Sequence, residues 1–108
     1  DIPEKDFDTF TALAGSSPAY IYLFIEALAK VGVKISIPKE KSLDIVTQTV
    51  LASAENLLQG SDSPHDLIDK ISSPGGTTIA GLLDLEKTGL TASVVSSIDA
   101  TIAKAKAL

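Results

Sequence analysis

Residues 17–33 read SPAYIYLFIEALAKVGV, and their pattern indicates a helical fold. Its apolar side chains recur three and four residues apart, which is the spacing of one face of an α-helix. The residues on that face are Tyr20, Leu23, Phe24, Ala27, Leu28 and Val31. Ser17 and Pro18 predict the helix start, with Ser17 as the N-cap and Pro18 at the first helical position. The other positions are also mostly apolar, so we expect the helix to be buried on several sides, in part by a second subunit.

Helical spacing also governs the rest of the chain, and strand-like alternation is nearly absent. The further helices are predicted from Pro3 to Leu13 with an end at Gly15, from Pro38 to a stop at Gly60, from the N-cap Ser63 to about Ile71, from Thr77 to Lys87, and from the N-cap Thr91 onward. The sequence therefore predicts an all-α domain of about six helices spanning residues 1–108.

Composition limits the classes of function. The 108 residues include nine basic side chains, all of them Lys, against 14 acidic ones, giving a net charge of −5. An acidic chain without Arg is not expected to bind nucleic acid or an anionic membrane. The absence of Cys excludes disulfides and thiolate zinc sites, and it fits a reducing, cytoplasmic location.

Length and the first residues set further expectations. At 108 residues, 44% of them hydrophobic, the chain can form one packed core. The longest apolar run, Ala19 to Ile25, is closed by Glu26, so no membrane span is expected. The chain starts at Asp1 without an initiator Met or a leader, which we interpret as a domain cut from a longer polypeptide.

The segment with most chemical content is residues 71–81, ISSPGGTTIAG, which we call the Gly-Gly segment. Gly75 and Gly76 directly precede a predicted helix, where free backbone N–H groups and the helix dipole favour an anion. Ser73, Thr77 and Thr78 add hydroxyls. Because no Lys follows before Lys87, a carboxylate is favoured over a nucleotide phosphate. The alternative is a structural turn in which Thr77 is an ordinary N-cap.

Residues 68–82, IDKISSPGGTTIAGL, resemble the signature of the pyrroline-5-carboxylate reductase family. The stretch DTFTALAGSSPAY at residues 8–20 is similar to the family's helix and its Gly-Ser-Gly-Pro-Ala-Tyr motif, with Ser17 in place of a Gly. Residues 25–29, 32–34, 37–38, 48–51 and 85–89 match as well. The resemblance covers essentially the whole chain, in order.

This resemblance implies an all-α C-terminal dimerisation and substrate-binding domain that forms an interleaved homodimer, or a higher oligomer, after an upstream Rossmann domain absent from this chain. It implies reduction of 1-pyrroline-5-carboxylate to proline with NADPH or NADH. It places Thr78 near the ring nitrogen of the substrate as the catalytic residue. The substrate-binding residues that it implies are Ile71, Ser73, Gly75, Gly76, Thr77 and Thr78.

Two other classes stay open at this point. One is a non-catalytic helical module in which the helix at residues 17–33 mediates self-association, and the other is the helical domain of a related dehydrogenase. Other candidate residues are weaker. His65, the single His, is expected at the surface, and Asp66 and Asp69 are expected to serve helix capping and solubility. No grouping of His and Cys predicts a metal site.

Overall fold

The computed structural model of the chain describes residues 2–108, and over these residues it is all-α with no strand. This confirms the predicted fold class. Six α-helices follow one another along the described residues: α1 (Phe7–Thr11), α2 (Ser17–Lys34), α3 (Lys39–Gln59), α4 (Pro64–Lys70), α5 (Thr77–Lys87) and α6 (Leu90–Ala107). A 3-10 turn, Glu4–Asp6, precedes α1, and a π-helical turn, Ala12–Ser16, joins α1 to α2.

The predicted start of α2 is wrong in its detail. Ser17 has helical dihedral angles (φ −60°, ψ −27°), and its hydroxyl donates to the carbonyl oxygen of Ala12 at 2.9 Å. The chain therefore does not stop at Gly15 and restart at Ser17 but continues through one wide turn. Pro18 has no N–H to donate, and the preceding π turn accommodates that gap in the ladder of hydrogen bonds.

Other predicted boundaries agree closely with the structure. Helix α3 follows Pro38 and ends before Gly60, and α5 has the predicted bounds. Helix α6 begins earlier than predicted, because Gly89 (φ 95°, ψ 34°) is its N-cap residue. Thr91 lies within α6, where its hydroxyl donates to the carboxylate of Glu86 at 3.0 and 3.2 Å.

Residues 18–64 form one unit, made of α2, α3 and their connections. The hydroxyl of Ser42 on α3 is buried and donates to the carbonyl oxygen of Ala29 on α2 at 2.8 Å. Lys39 donates to a carboxylate oxygen of Glu26 at 2.8 Å, and this hydrogen bond lowers the pKa of Glu26 from its ordinary value. A buried polar contact and an exposed one thus help to join the two helices.

Residues 2–17 and 65–108 form the second unit. Within it, α1 and the π turn pack against α6, and α5 packs against α6. Ala12, in the π turn, is 1% exposed. The loop between α4 and α5, which contains the predicted site, belongs to this unit.

The expectation of a packed core within one chain is not met over the described residues. The buried side chains are those of Ala12, Ala29 and Ser42, and none is large. Leu23 and Tyr22 on α2 are each 69% exposed, so their burial needs the second subunit that the sequence led us to expect. The chain exposes 8505 Å². A folded monomer of 11.2 kDa typically exposes about 5,700 Å², so roughly 2,800 Å² is in excess.

One helical stretch, Glu4–Lys34, is long and apolar enough to cross a membrane by length and composition, and 11% of its most apolar window is buried. Glu26 lies within this stretch, 39% exposed at its side chain, and is paired with Lys39. A carboxylate is costly inside a bilayer, whereas the rim of a subunit interface tolerates one.

Candidate functional site

The Gly-Gly segment begins where α4 ends. The backbone N–H of Ile71 donates to the carbonyl oxygen of Ile68, and that of Ser72 donates to Asp69, both at 3.2 Å. Each of these hydrogen bonds spans three residues instead of four, as is common where the last turn of a helix tightens. The chain leaves α4 in a fixed direction as a result.

A four-residue turn, Ser73 to Gly76, follows. The N–H of Gly76 donates to the carbonyl oxygen of Ser73 at 2.9 Å, and Gly75 has φ +72°. Pro at the second position and a positive φ at the third are the features of a type II turn. Gly75 is therefore required by the backbone conformation, since an L side chain is strained there.

Helix α5 starts immediately after this turn, with Gly76 as its N-cap residue (φ −84°, ψ 179°) and no side chain capping it. Thr77, Thr78 and Ile79 are the first three helical residues, so their N–H groups have no partner within the helix. Because the Gly76 N–H is already used in the turn, these three are the donors at this helix start. The structure rejects Thr77 as the N-cap residue.

The predicted site residues come together in this loop and in the first turn of α5. Ile71 is 68% exposed, Ser73, Thr77 and Thr78 are exposed, and Gly76 is half-buried. The hydroxyls and the N–H groups therefore face open space from which a small anion can approach. The predicted roles of these residues in binding and catalysis stay predictions.

Other parts of the described chain offer less. His65 and Asp69 are exposed, as expected. No group of three metal-ligating side chains occurs among residues 2–108. A groove of about 620 Å³ has none of the predicted site residues in its wall. Its lining residues are Pro38, Glu40, Lys41, Leu43, Asp44 and Thr47.

A helical chain that leaves most of its large apolar side chains exposed is typical of a domain that associates with another subunit. Residues 4–108 match the family described as pyrroline-5-carboxylate reductase dimerisation. The chain belongs to this family.

Individual relatives agree with the family match. The chain is 47% identical over 107 residues to a pyrroline-5-carboxylate reductase of Aquifex aeolicus, covering 99% of this chain and 40% of that protein. It is 43% identical to one of Glycine max, covering 97% of this chain and 38% of that protein. The chain thus spans about 40% of the length of the curated relatives it matches.

Solved structures show the same fold. A 1-pyrroline-5-carboxylate reductase from Streptococcus pyogenes is 77% identical with a TM-score of 0.98, over 100% of this chain and 42% of that one. A pyrroline carboxylate reductase from Plasmodium falciparum, solved with NADP bound, is 42% identical with a TM-score of 0.94, over 98% of this chain and 43% of that one.

Proposed function

We propose that this chain is the dimerisation and substrate-binding part of a pyrroline-5-carboxylate reductase, which reduces 1-pyrroline-5-carboxylate to L-proline with NADH or NADPH in the cytoplasm. The observation that carries the proposal is the family match over residues 4–108 together with the uncapped helix start at the Gly-Gly segment. The nicotinamide-binding domain lies in another part of the protein. The lengths of the curated relatives are consistent with a further domain, since the chain spans about 40% of their length.

The partner of the uncovered apolar surface is a second copy of the chain. The excess of roughly 2,800 Å² per chain, or about 5,600 Å² for two copies, is at the upper end of what obligate dimers bury, and the family itself is described by dimerisation. A bilayer is disfavoured because Glu26 would have to enter it while paired with Lys39. In the homodimer, side chains that are exposed on a single copy are buried against the second copy.

The substrate is a cyclic imine that carries a carboxylate, and the loop supplies groups for both. The N–H groups of Thr77, Thr78 and Ile79 bind the carboxylate, aided by the positive end of the α5 dipole. The hydroxyl of Thr78 meets the ring nitrogen. Ser73 and Ile71, at the mouth of the loop, complete the wall of the substrate site.

The reaction adds a hydride to the imine carbon, which a nicotinamide would supply when bound, and a proton to the ring nitrogen, which completes the amine. Residues 2–108 contain no strand and so lack the strand–turn–helix unit that binds dinucleotides, which means that their contribution is to the substrate. By fixing the imine in one orientation they bring its carbon to attack distance, and such positioning supplies a large part of the reduction in barrier.

The test is Thr78→Ala in the full-length protein that contains this chain. We expect an unchanged dimer and fold, with kcat/KM for 1-pyrroline-5-carboxylate reduced by roughly ten- to a hundredfold through loss of one hydrogen bond to the ring nitrogen. Thr88→Ala is the matched control, because Thr88 lies at the other end of α5 and its hydroxyl donates only to carbonyl oxygens of that helix.

Two results would refute the proposal. One is a Thr78→Ala protein with wild-type kcat and KM, which would return the Gly-Gly segment to a structural turn. The other is a full-length protein that ignores 1-pyrroline-5-carboxylate and L-proline but turns over a hydroxy acid, which would identify a related dehydrogenase.

A further inference from the structure

The Gly-Gly segment contains two adjacent serines, and the structure gives them different environments. Ser72 is half-buried, and its hydroxyl donates to the carbonyl oxygen of Ile68 in the last turn of α4 at 2.6 Å. Ser73 is exposed, and its carbonyl oxygen accepts the N–H of Gly76. The hydroxyl of Ser72 is therefore directed away from the open side of the loop, towards the helix before it.

We propose that Ser72 is a positioning residue for the substrate loop, which ties the loop to α4 and so sets the orientation of Ser73 and of the helix start that follows. The proposal rests on the proposed function, because the loop must bind substrate for its orientation to matter. It gives the two serines separate tasks, in which Ser72 holds the loop and Ser73 faces the substrate.

A series of consecutive contacts links the end of α4 to the start of α5. Ser72 is held by two hydrogen bonds. Its N–H donates to the carbonyl oxygen of Asp69, and its hydroxyl donates to the carbonyl oxygen of Ile68. Ser73 then opens the turn that closes at Gly76, and α5 begins at the next residue. The turn from Ser73 to Gly76 is all that separates Ser72 from the donors of α5. The short bond to Ile68 is thus the first of the contacts that aim those donors.

A mobile loop would lose conformational entropy when substrate binds, and this loss would weaken binding. Holding the loop in its binding conformation beforehand removes that entropy cost from the binding step. Loss of the Ser72 hydroxyl should accordingly weaken substrate binding more than it slows the chemical step. The cofactor, bound elsewhere, should be unaffected.

The experiment compares serine variants in the full-length enzyme. Ser72→Ala should raise KM for 1-pyrroline-5-carboxylate by about three- to tenfold, the equivalent of one hydrogen bond, with kcat within about twofold. The dissociation constant of NADPH should not change. Ser53→Ala is the matched control, since Ser53 makes the same hydroxyl-to-carbonyl contact, four residues back, in the middle of α3 at 2.8 Å.

A second pair of variants keeps the test informative if Ser72→Ala is poorly folded. The variants are Ser72→Thr and Ser72→Val. The Thr and Val side chains have nearly the same shape, but only Thr retains the hydroxyl. We expect Thr to keep KM near the wild-type value and Val to raise it as Ala does. A general loss of stability would instead affect Thr and Val alike.

Hydrogen exchange gives a readout that does not depend on activity. In Ser72→Ala, amides of residues 71–79 should exchange about tenfold faster, because the loop is released from α4. Unchanged exchange and unchanged KM, in an enzyme that Thr78→Ala impairs, would overturn the role of Ser72 and leave the proposed function intact. A full-length protein without activity on 1-pyrroline-5-carboxylate would overturn both.

Discussion

Gly32 and Ser42 show, at the scale of single residues, how closely α2 and α3 approach. A Cβ atom built on Gly32 would lie 2.7 Å from the Cβ of Ser42 and would overlap its hydroxyl, and that hydroxyl is the one bonded to Ala29. The two Ser42 atoms that a Cβ on Gly32 would meet belong to a short side chain, which has little room to move away. The crossing of the two helices therefore depends on the absence of a side chain at position 32.

Gly32→Ala should destabilise the protein by about 1–3 kcal/mol, the usual cost of forcing extra atoms into a packed site. Thermal melting at one fixed protein concentration measures it. Gly81→Ala is the control, because a Cβ there meets nothing within 4 Å and should be neutral or stabilising. Adding Ser42→Gly to Gly32→Ala should recover part of the loss, and failure of the double variant to do so would contradict the account.

The sequence carries much of the site but not its internal arrangement. Pro74, Gly75 and Gly76 before a helical pattern predict a turn at a helix start, and the structure has both. Which glycine takes the positive φ, and which serine turns inward, depend on where the last turn of α4 ends. That is a tertiary and backbone property with no distinct residue pattern, so Ser72 could not be separated from Ser73 beforehand.

At the scale of the helices, the end of α2 is unusual. Ser36 has φ 77°, the conformation in which glycine is normally found. It lies at a helix end that is closed by two backbone hydrogen bonds. Its N–H donates to Val33 at 3.0 Å, and that of Ile37 donates to Gly32 at 2.9 Å. These two bonds fix the direction in which the chain turns from α2 into α3, at some conformational cost to Ser36.

Replacing Ser36 by glycine should remove that cost. We expect Ser36→Gly to raise stability by about 0.5–1 kcal/mol, seen as an increase of a few degrees in melting temperature. Ser53→Gly, in the interior of α3, should do the opposite by about the same amount. If both substitutions destabilised the protein equally, the strained helix end would be refuted.

Helix boundaries were predictable where a strong signal stood alone and failed where two signals met. Pro38 and Gly60 bracket α3 as expected. Ser17 and Pro18 are equally strong start signals by pattern, yet the π turn carries the helix through them and the Ser17 hydroxyl bonds backwards to Ala12. A local residue pattern does not predict a π turn, because that turn is defined by its backbone hydrogen bonds and not by residue type.

At the scale of the whole molecule, the chain presents an apolar surface that it cannot cover itself. Sequence periodicity predicted that α2 would be apolar on nearly every side, and the expected intersubunit contact followed from it. The assumption of a core within a single chain failed, since large apolar side chains of α1, α2, α3, α5 and α6 remain exposed. We therefore expect the excess surface to be buried between two copies of the chain.

The most direct test is the molar mass of the 108-residue chain in solution, measured by light scattering at micromolar concentration. We expect a single species of twice the 11.2 kDa chain mass, because a chain with so little buried surface of its own needs its partner to stay folded. A folded, monodisperse monomer of 11.2 kDa would contradict it.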